Sequence, residues 1–307
     1  MTPRIEYDPG LVERAVDHAV YADPKLEAAL HRETDRLYAL PRSRDRNVAF
    51  VGAFGAFFER LGLDAALRRL LAERPIIGRS VGACIVGPAL RARHESAELL
   101  VRGHEGEVVR GDRTLMLHVL PQTLADPESF ARRMRPELVH VADMVDPAFR
   151  YRRSQIEGLP ARRNLIKDRY RVLWNVYIMG RLVREGFGVG VSRSRLRAQL
   201  VQVFGIETGE AADLALARVF DAGSLTHDQL FAWANGPDEF RGPGRGAGFS
   251  ESATPGANCP LCGFSTFDWF AFEAAQAELV RAIESRHPTW VPVNGACRQC
   301  AEIYSSA

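Results

Sequence analysis

From Pro9 to Leu71 the pattern is helical: Leu11, Ala15, His18 and Ala19 fall near one face, and Phe50, Phe54, Phe57, Phe58 and Leu61 recur at helical spacing. Gly62-Leu-Asp64 then supplies a stop and a new N-cap for a helix over Ala65 to Ala72. The pattern changes after that. Gly82 to Leu90, Ala97 to Arg102, Glu107 to Val109 and Thr114 to Leu120 are short extended runs punctuated by Gly103, Gly106, Gly111 and Asp112, which predicts a small sheet with a hairpin.

A sharp helix start follows. Asp126 is an N-cap residue, Pro127 suits the first helical position and Glu128 complements the positive helix end. Phe130, Met134, Leu138, Val141 and Val145 then make one apolar face, ending at Asp146-Pro147. A second helix is predicted from Asn164 to Glu185, with shorter ones over Ser192 to Phe204, Glu210 to Phe220 and His227 to Trp233. The stretch 235–258 is rich in Gly, Pro and Ser and includes Arg241-Gly-Pro-Gly-Arg-Gly-Ala-Gly248, which lacks apolar residues to bury. Beyond it, Phe267 to Arg286 reads as a helix. The expected fold is α+β and predominantly helical. Its expected parts are an N-terminal helical region (1–75), an α+β domain with a helical extension (76–234), a flexible linker (235–258) and a small C-terminal module (259–307).

With 307 residues, 46% of them hydrophobic, the chain can bury a substantial core and hold more than one domain. The net charge is +2, and of 40 basic residues all but Lys25 and Lys167 are arginine. A GC-rich genome produces that skew, so the arginines carry little weight as evidence for nucleic-acid binding; a dedicated binder clusters its charge on one face. Arg162 and Arg163 read as a solvated start to the Asn164 helix; with Arg150, Arg152 and Arg153 they make the densest positive charge, the one place to test for an anionic partner. No apolar h-region opens the chain. The most apolar stretch, Val48 to Phe58, falls well short of the ~20 residues needed to span a bilayer, so it reads as a buried helix.

Four of the five cysteines form two pairs, Cys259-Pro-Leu-Cys262-Gly and Cys297-Arg-Gln-Cys300. Each pair can place two thiolates on one ion from a tight turn, and together they complete a closed tetrahedral sulfur shell. Zinc takes that geometry with no ligand-field cost, so one structural zinc per chain is the expected cofactor. Cysteines in metal spacing fit a reducing cytoplasm better than a disulfide framework. Cys84, in Val81-Gly-Ala-Cys-Ile-Val-Gly87, has apolar neighbours and reads as core. A knuckle followed by a pair that opens a helix resembles the treble-clef and zinc-ribbon family over residues 259 to about 304. Those folds serve many functions.

A second resemblance lies in Met134-Arg-Pro-Glu-Leu-Val-His-Val-Ala-Asp-Met-Val-Asp-Pro147, which is similar to the active-site helix of zincin metallopeptidases. Their His-Glu-x-x-His places two imidazoles one turn apart on zinc, with a glutamate beside the bound water. Glu137 matches the general base and His140 the second ligand. Pro136 stands where the first ligand belongs, and it has no donor atom. In the extended motif the third ligand falls on Asp146, and Asp143 takes the place of a turn glycine. Thr114 to Leu120 would be the strand edging the cleft, His118 the nearby histidine able to replace the missing ligand, and Asp168 and Glu185 further carboxylates from the next helix. In a working site Glu137 would take a proton from metal-bound water and pass it to the leaving amine.

Other signatures are weaker. His104-Glu105-Gly-Glu107 reads as a solvated turn, and His94-Glu95 and His227-Asp228 as isolated pairs. Gly186-Phe-Gly-Val-Gly190 lacks the strand and lysine of a phosphate loop, and no Gly-x-Ser-x-Gly occurs. The reading is a zincin-related, catalytically degenerate metallopeptidase-like protein with a structural zinc module. The alternative is a non-catalytic zinc-binding adaptor for a protein partner or, with weaker support, nucleic acid; a third is a metal-delivery factor. No membrane association is expected.

Overall fold

The computed structural model describes residues 2–21, 23–42, 44–102, 110–157, 164–188, 190–206, 208–237, 240, 256–270, 272, 276–288 and 290–305. The expected turn at His104 to Glu107, the run Glu107 to Val109, Arg162, Arg163 and most of the expected linker lie outside these residues. Two compact units emerge: Met1–Tyr151 with Ile178–Ser192 and Gly223–His227, and Arg152–Tyr177 with Arg193–Ala222 and Asp228–Ala307.

The first unit begins with a strand that the hydrophobic pattern did not announce, β1 (Arg4–Tyr7). Five helices follow: α1 (Pro9–Val20), α2 (Pro24–Tyr38), α3 (Arg44–Arg60), α4 (Ala65–Glu73) and α5 (Pro75–Ser80). The chain then re-enters the sheet as β2 (Ala83–Pro88), β3 (Ser96–Val101) and β4 (Arg113–Val119), and leaves through α6 (Pro121–Ala125) and α7 (Pro127–Val145). Sheet order is β1-β2-β4-β3, with β1, β2 and β4 parallel and β3 antiparallel to β4. The hairpin was legible; the parallel core was not. Thr114 to Leu120 was expected at the edge, yet β4 is interior and β3 takes the edge.

Register explains the core. Cys84 and Val86 of β2 lie beside Leu115 and Leu117 of β4, so one sheet face is continuously apolar. It packs with Leu11 and Val16 of α1, Leu67 and Leu70 of α4, and Phe130, Met134, Leu138 and Val141 of α7. Burial pushes the Cys84 thiol up to about 12, so this cysteine is a core residue and no nucleophile.

Capping sets where the helices start. Asp8 accepts the N–H of Leu11 at 2.8 Å, and Asp126 accepts those of Glu128 and Ser129 at 3.0 and 3.2 Å. Asp64 stands at its expected cap position but turns its carboxylate to Arg68 instead. Pro136 lies inside α7, and the helix continues through it to Val145. In α3 only Phe54, Phe57 and Phe58 are buried; Val48 and Val51, expected inside, face outward.

The second unit contains α8 (Arg153–Glu157), the first part of α9 (Asn164–Arg184), α10 (Arg193–Phe204), α11 (Glu210–Phe220) and most of α12 (His227–Asn235). Phe204 and Trp233 both meet Phe240, at ring separations of 4.6 and 5.6 Å. Arg152 of the basic cluster is paired with Asp228. The C-terminal segment follows: β5 (Ala257–Asn258), β6 (Ser265–Thr266), β7 (Trp269–Phe270), α13 (Ala277–Arg286), β8 (Ala296–Cys297) and α14 (Arg298–Ser305). The expected helix from Phe267 begins ten residues later, at Ala277, because Trp269 and Phe270 pair as a strand with β8. No helix among the described residues is long and apolar enough to cross a membrane.

Candidate metal centre

β5 and β6 pair across the turn that carries Cys259 and Cys262, with the N–H of Cys259 on the Phe264 carbonyl and that of Gly263 on the Cys259 carbonyl, both at 2.8 Å. Gly263 has φ +76°, in the left-handed region, so a glycine serves the reversal there. The other pair comes from a different local device. Cys297 ends β8, registered against Trp269 of β7, and Cys300 sits in the first turn of α14. Arg298 anchors that helix start: its N–H meets the Asp268 carbonyl at 2.9 Å and its guanidinium the Asp268 carboxylate at 2.8 Å.

These two devices bring all four Sγ atoms within 4.8 Å of one another. Cys259 to Cys300 and Cys262 to Cys297 each measure 3.9 Å. Sulfurs about 2.3 Å from a shared tetrahedral ion stand about 3.8 Å apart, so the cluster already has the dimensions of a single-ion cage. Cys259, Cys297 and Cys300 are buried and Cys262 is exposed.

The protonation balance of the cluster points the same way. Burial opposes ionisation of Cys259, but N–H groups of Cys297, Cys262 and Leu261 turn to its sulfur and bring the thiol down to about 7. Burial pushes Cys297 and Cys300 up, and the charge on Cys259 adds to the rise. One thiolate therefore suppresses its neighbours; four can coexist only around a cation. Behind the sulfurs, Leu279, Ile283, Trp290 and Ala301 form a small core, with Leu261, Phe270 and Phe272 packed on it. Trp290 donates to the Gly295 carbonyl at 2.8 Å, and the His287 ring nitrogen and Tyr304 hydroxyl are 2.7 Å apart. Two large rings stay outside: Phe264, directly after the knuckle glycine, is 77% exposed and Phe267 81%.

The mid-chain residues lie differently. Among the described residues, the four cysteines are the one group of three or more His, Cys, Asp and Glu side chains whose ligand atoms converge. Glu137 reaches the edge strand, where it accepts the N–H of Ala97; burial raises its pKa against the pull of Arg133. Burial and the neighbouring Arg181 guanidinium push His140 down to about 3, so its ring is neutral. Arg181 is 2.6 Å from Asp143, a buried carboxylate one turn further along α7. Any metal on His140 would sit beside that guanidinium. Asp146 ends the helix and accepts the N–H of Ala148 at 2.9 Å. His118 lies on the sheet face opposite Leu117 and Val119, away from the core that α7 joins. Asp168 pairs with Arg171, and Glu185 with Arg74.

Sequence reading missed Arg181. Its signal was an arginine inside the apolar run Tyr177-Ile-Met-Gly-Arg-Leu-Val183, where a charge needs a buried partner. It also missed the outward position of Phe264 and Phe267, which alternation alone did not mark.

His140 has a measurable consequence. Its folded pKa is depressed below the unfolded value of about 6.5, so the unfolded chain takes up a proton that the folded chain refuses. Its stabilising contribution is complete above about pH 6.5 and is lost as pH falls towards 3, at up to ~1.4 kcal/mol per pH unit. Urea unfolding of wild type and His140→Phe across that range should give a shallower acid limb for the variant. Parallel limbs would exclude this assignment.

Fold and site together define an α+β, predominantly helical protein with a C-terminal four-cysteine cluster able to hold one metal ion. Comparison of the chain with known protein families, curated proteins and solved structures finds no match.

Proposed function

We propose that this protein is a non-catalytic adaptor whose C-terminal segment is a structural zinc module of treble-clef type that contacts a protein partner. The observation that carries the reading is the pair of exposed rings, Phe264 and Phe267, set beside a closed tetrathiolate cage. A cage with four sulfur ligands leaves no open position for water or substrate, so its ion folds the module and takes no part in chemistry. Zinc is the fitting occupant, since thiolates select soft or borderline ions and the geometry is tetrahedral. Such a site suits a reducing compartment such as the cytoplasm.

Charge favours protein over nucleic acid. From Cys259 onward the sequence carries Asp268, Glu273, Glu278, Glu284 and Glu302 against Arg281, Arg286 and Arg298, and four thiolates outweigh a dication. A phosphate backbone would be repelled by this module. A peptidase centre at Glu137 and His140 has less support, because Pro136 supplies no ligand, Asp146 is occupied in its own turn and Arg181 holds the ground beside His140.

The test compares immobilised full-length chain with the Phe264→Ala/Phe267→Ala variant in extract from the source organism, after elemental analysis shows equal zinc. A protein retained by wild type alone, with little dependence on salt, is the expected result. Equal retention by both forms, or binding of nucleic acid that collapses as salt rises, would overturn the reading.

A further inference from the structure

We infer that α3 is the contact face of a homodimer, two copies crossing antiparallel about a two-fold axis that passes between Val51 and Gly52. α3 is apolar on two sides. Phe54, Phe57 and Phe58 fill the core of the first unit, while Val48 and Val51 stand 63% and 49% exposed one turn apart. Gly52 and Gly55 continue that outer stripe. A Cβ built on either meets no atom within 4 Å, so nothing inside the chain calls for a glycine there. Each weakens a helix interior relative to alanine, a cost with a use where another backbone approaches closely.

The antiparallel register is dictated by side-chain size and charge. With the axis between Val51 and Gly52, Val48 of one copy lies over Gly55 of the second, Val51 over Gly52, and Arg44 opposite Glu59. Large residues meet small ones at each crossing, and the ends bring opposite charges together. Arg44 and Glu59 are exposed, and among the described residues neither makes a close ion pair in its own chain, Glu59 acting on Arg68 only through space. A two-fold contact uses the same patch on both copies, so every pairing occurs twice.

The surface beside the stripe extends the contact. A groove of about 700 Å³ runs between α1 and α3, with Phe50, Val51 and Phe54 on one wall and Pro9 and Glu13 on the other. Arg46 lies over the rings of Tyr38 and Phe50, 5.1 and 5.8 Å from their centroids, and Tyr38 is itself 62% exposed. Rigid aromatic and arginine side chains at the rim of an apolar stripe are the composition of protein interfaces.

The test is sedimentation of the full-length, metal-loaded protein from about 1 to about 100 µM. A dimer is expected for wild type, and at least about a hundredfold weaker association for Val48→Asp/Val51→Asp with an unchanged unfolding midpoint of the monomer. Val51→Cys should be trapped as a dimer by a short bis-maleimide far above the level of wild type, and Leu214→Cys, at an exposed position of α11, should not. Gly55→Leu should weaken the dimer while raising the monomer's unfolding temperature, since it fills the hole but strengthens the helix. A monomeric wild type throughout the range, a dimer that survives the paired aspartates, or a Val51→Cys protein that traps no better than Leu214→Cys overturns the inference. Wild-type monomer that instead sediments with phosphatidylglycerol vesicles would give the face to a membrane and equally overturn the dimer.

Discussion

Cys259→Ser is expected to abolish binding of one zinc per chain and to unfold the C-terminal module while the rest of the protein stays folded. Apparent binding free energies of structural zinc sites are ~10 to 16 kcal/mol, and in small modules that binding energy is folding energy. The core behind the sulfurs is small, with Leu279, Ile283, Trp290 and Ala301 as its buried members among the described residues, and a core of that size does not hold a fold alone. Loss of the ion would also leave mutually suppressing thiols in the interior. Elemental analysis and near-ultraviolet circular dichroism report the outcome, the latter because Trp290 is locked in this core and Trp269 lies in β7. A strong chelator should reproduce the change in wild type, and His140→Ala should keep its zinc. Zinc retained by Cys259→Ser, or aromatic dichroism indifferent to the chelator, contradicts a module folded by its metal.

The second large effect is expected at Arg181. Arg181→Ala takes its guanidinium away from the buried Asp143 carboxylate, and breaking such a pair costs about 3 to 5 kcal/mol. The paired substitution Asp143→Leu/Arg181→Met removes both charges, and should recover most of the loss. Urea midpoints of the three proteins decide the matter, provided that the slope of the transition is unchanged. Because Arg181 adds to the burial that keeps the His140 ring neutral, its removal should let that imidazole protonate at somewhat higher pH, visible in ring proton resonances. A cost below about 1 kcal/mol for Arg181→Ala would place the pair with surface ion pairs of little consequence.

Much of the helical pattern was legible because most helices, α3 apart, keep one apolar face and several open on a recognisable cap. α11 runs over the expected residues, and α7 begins at the expected Asp126 cap. The four-cysteine cluster was equally plain, since Cys-x-x-Cys spacing is local and two such turns need only be brought together. What failed was non-local. β1 is four residues long, and its partner β2 lies beyond five helices, so no periodicity could reveal the pairing. For the same reason β4 passed for an edge strand: alternation reports which face is buried and leaves neighbours unspecified. α3 misled in another way, because apolar residues on two sides look the same in sequence whether both sides are covered or one awaits a partner. At Glu137 and His140 the spacing was read correctly as one helix face, but the surroundings were supplied by Ala97 on β3 and Arg181 on α9, which spacing does not encode.

The pairing of Arg4 with Ala83 also shapes how this polypeptide is made. The opening strand leaves the ribosome about 80 residues before the backbone groups it must join, and such distant pairings are slow to close. Until β2 emerges, the helices between have no sheet to lie on and their inward phenylalanines stay wet. Clipping the first seven residues would leave β2 and β4 to receive the helices but bare the flank of β2 as an unsatisfied edge that invites other chains to add themselves.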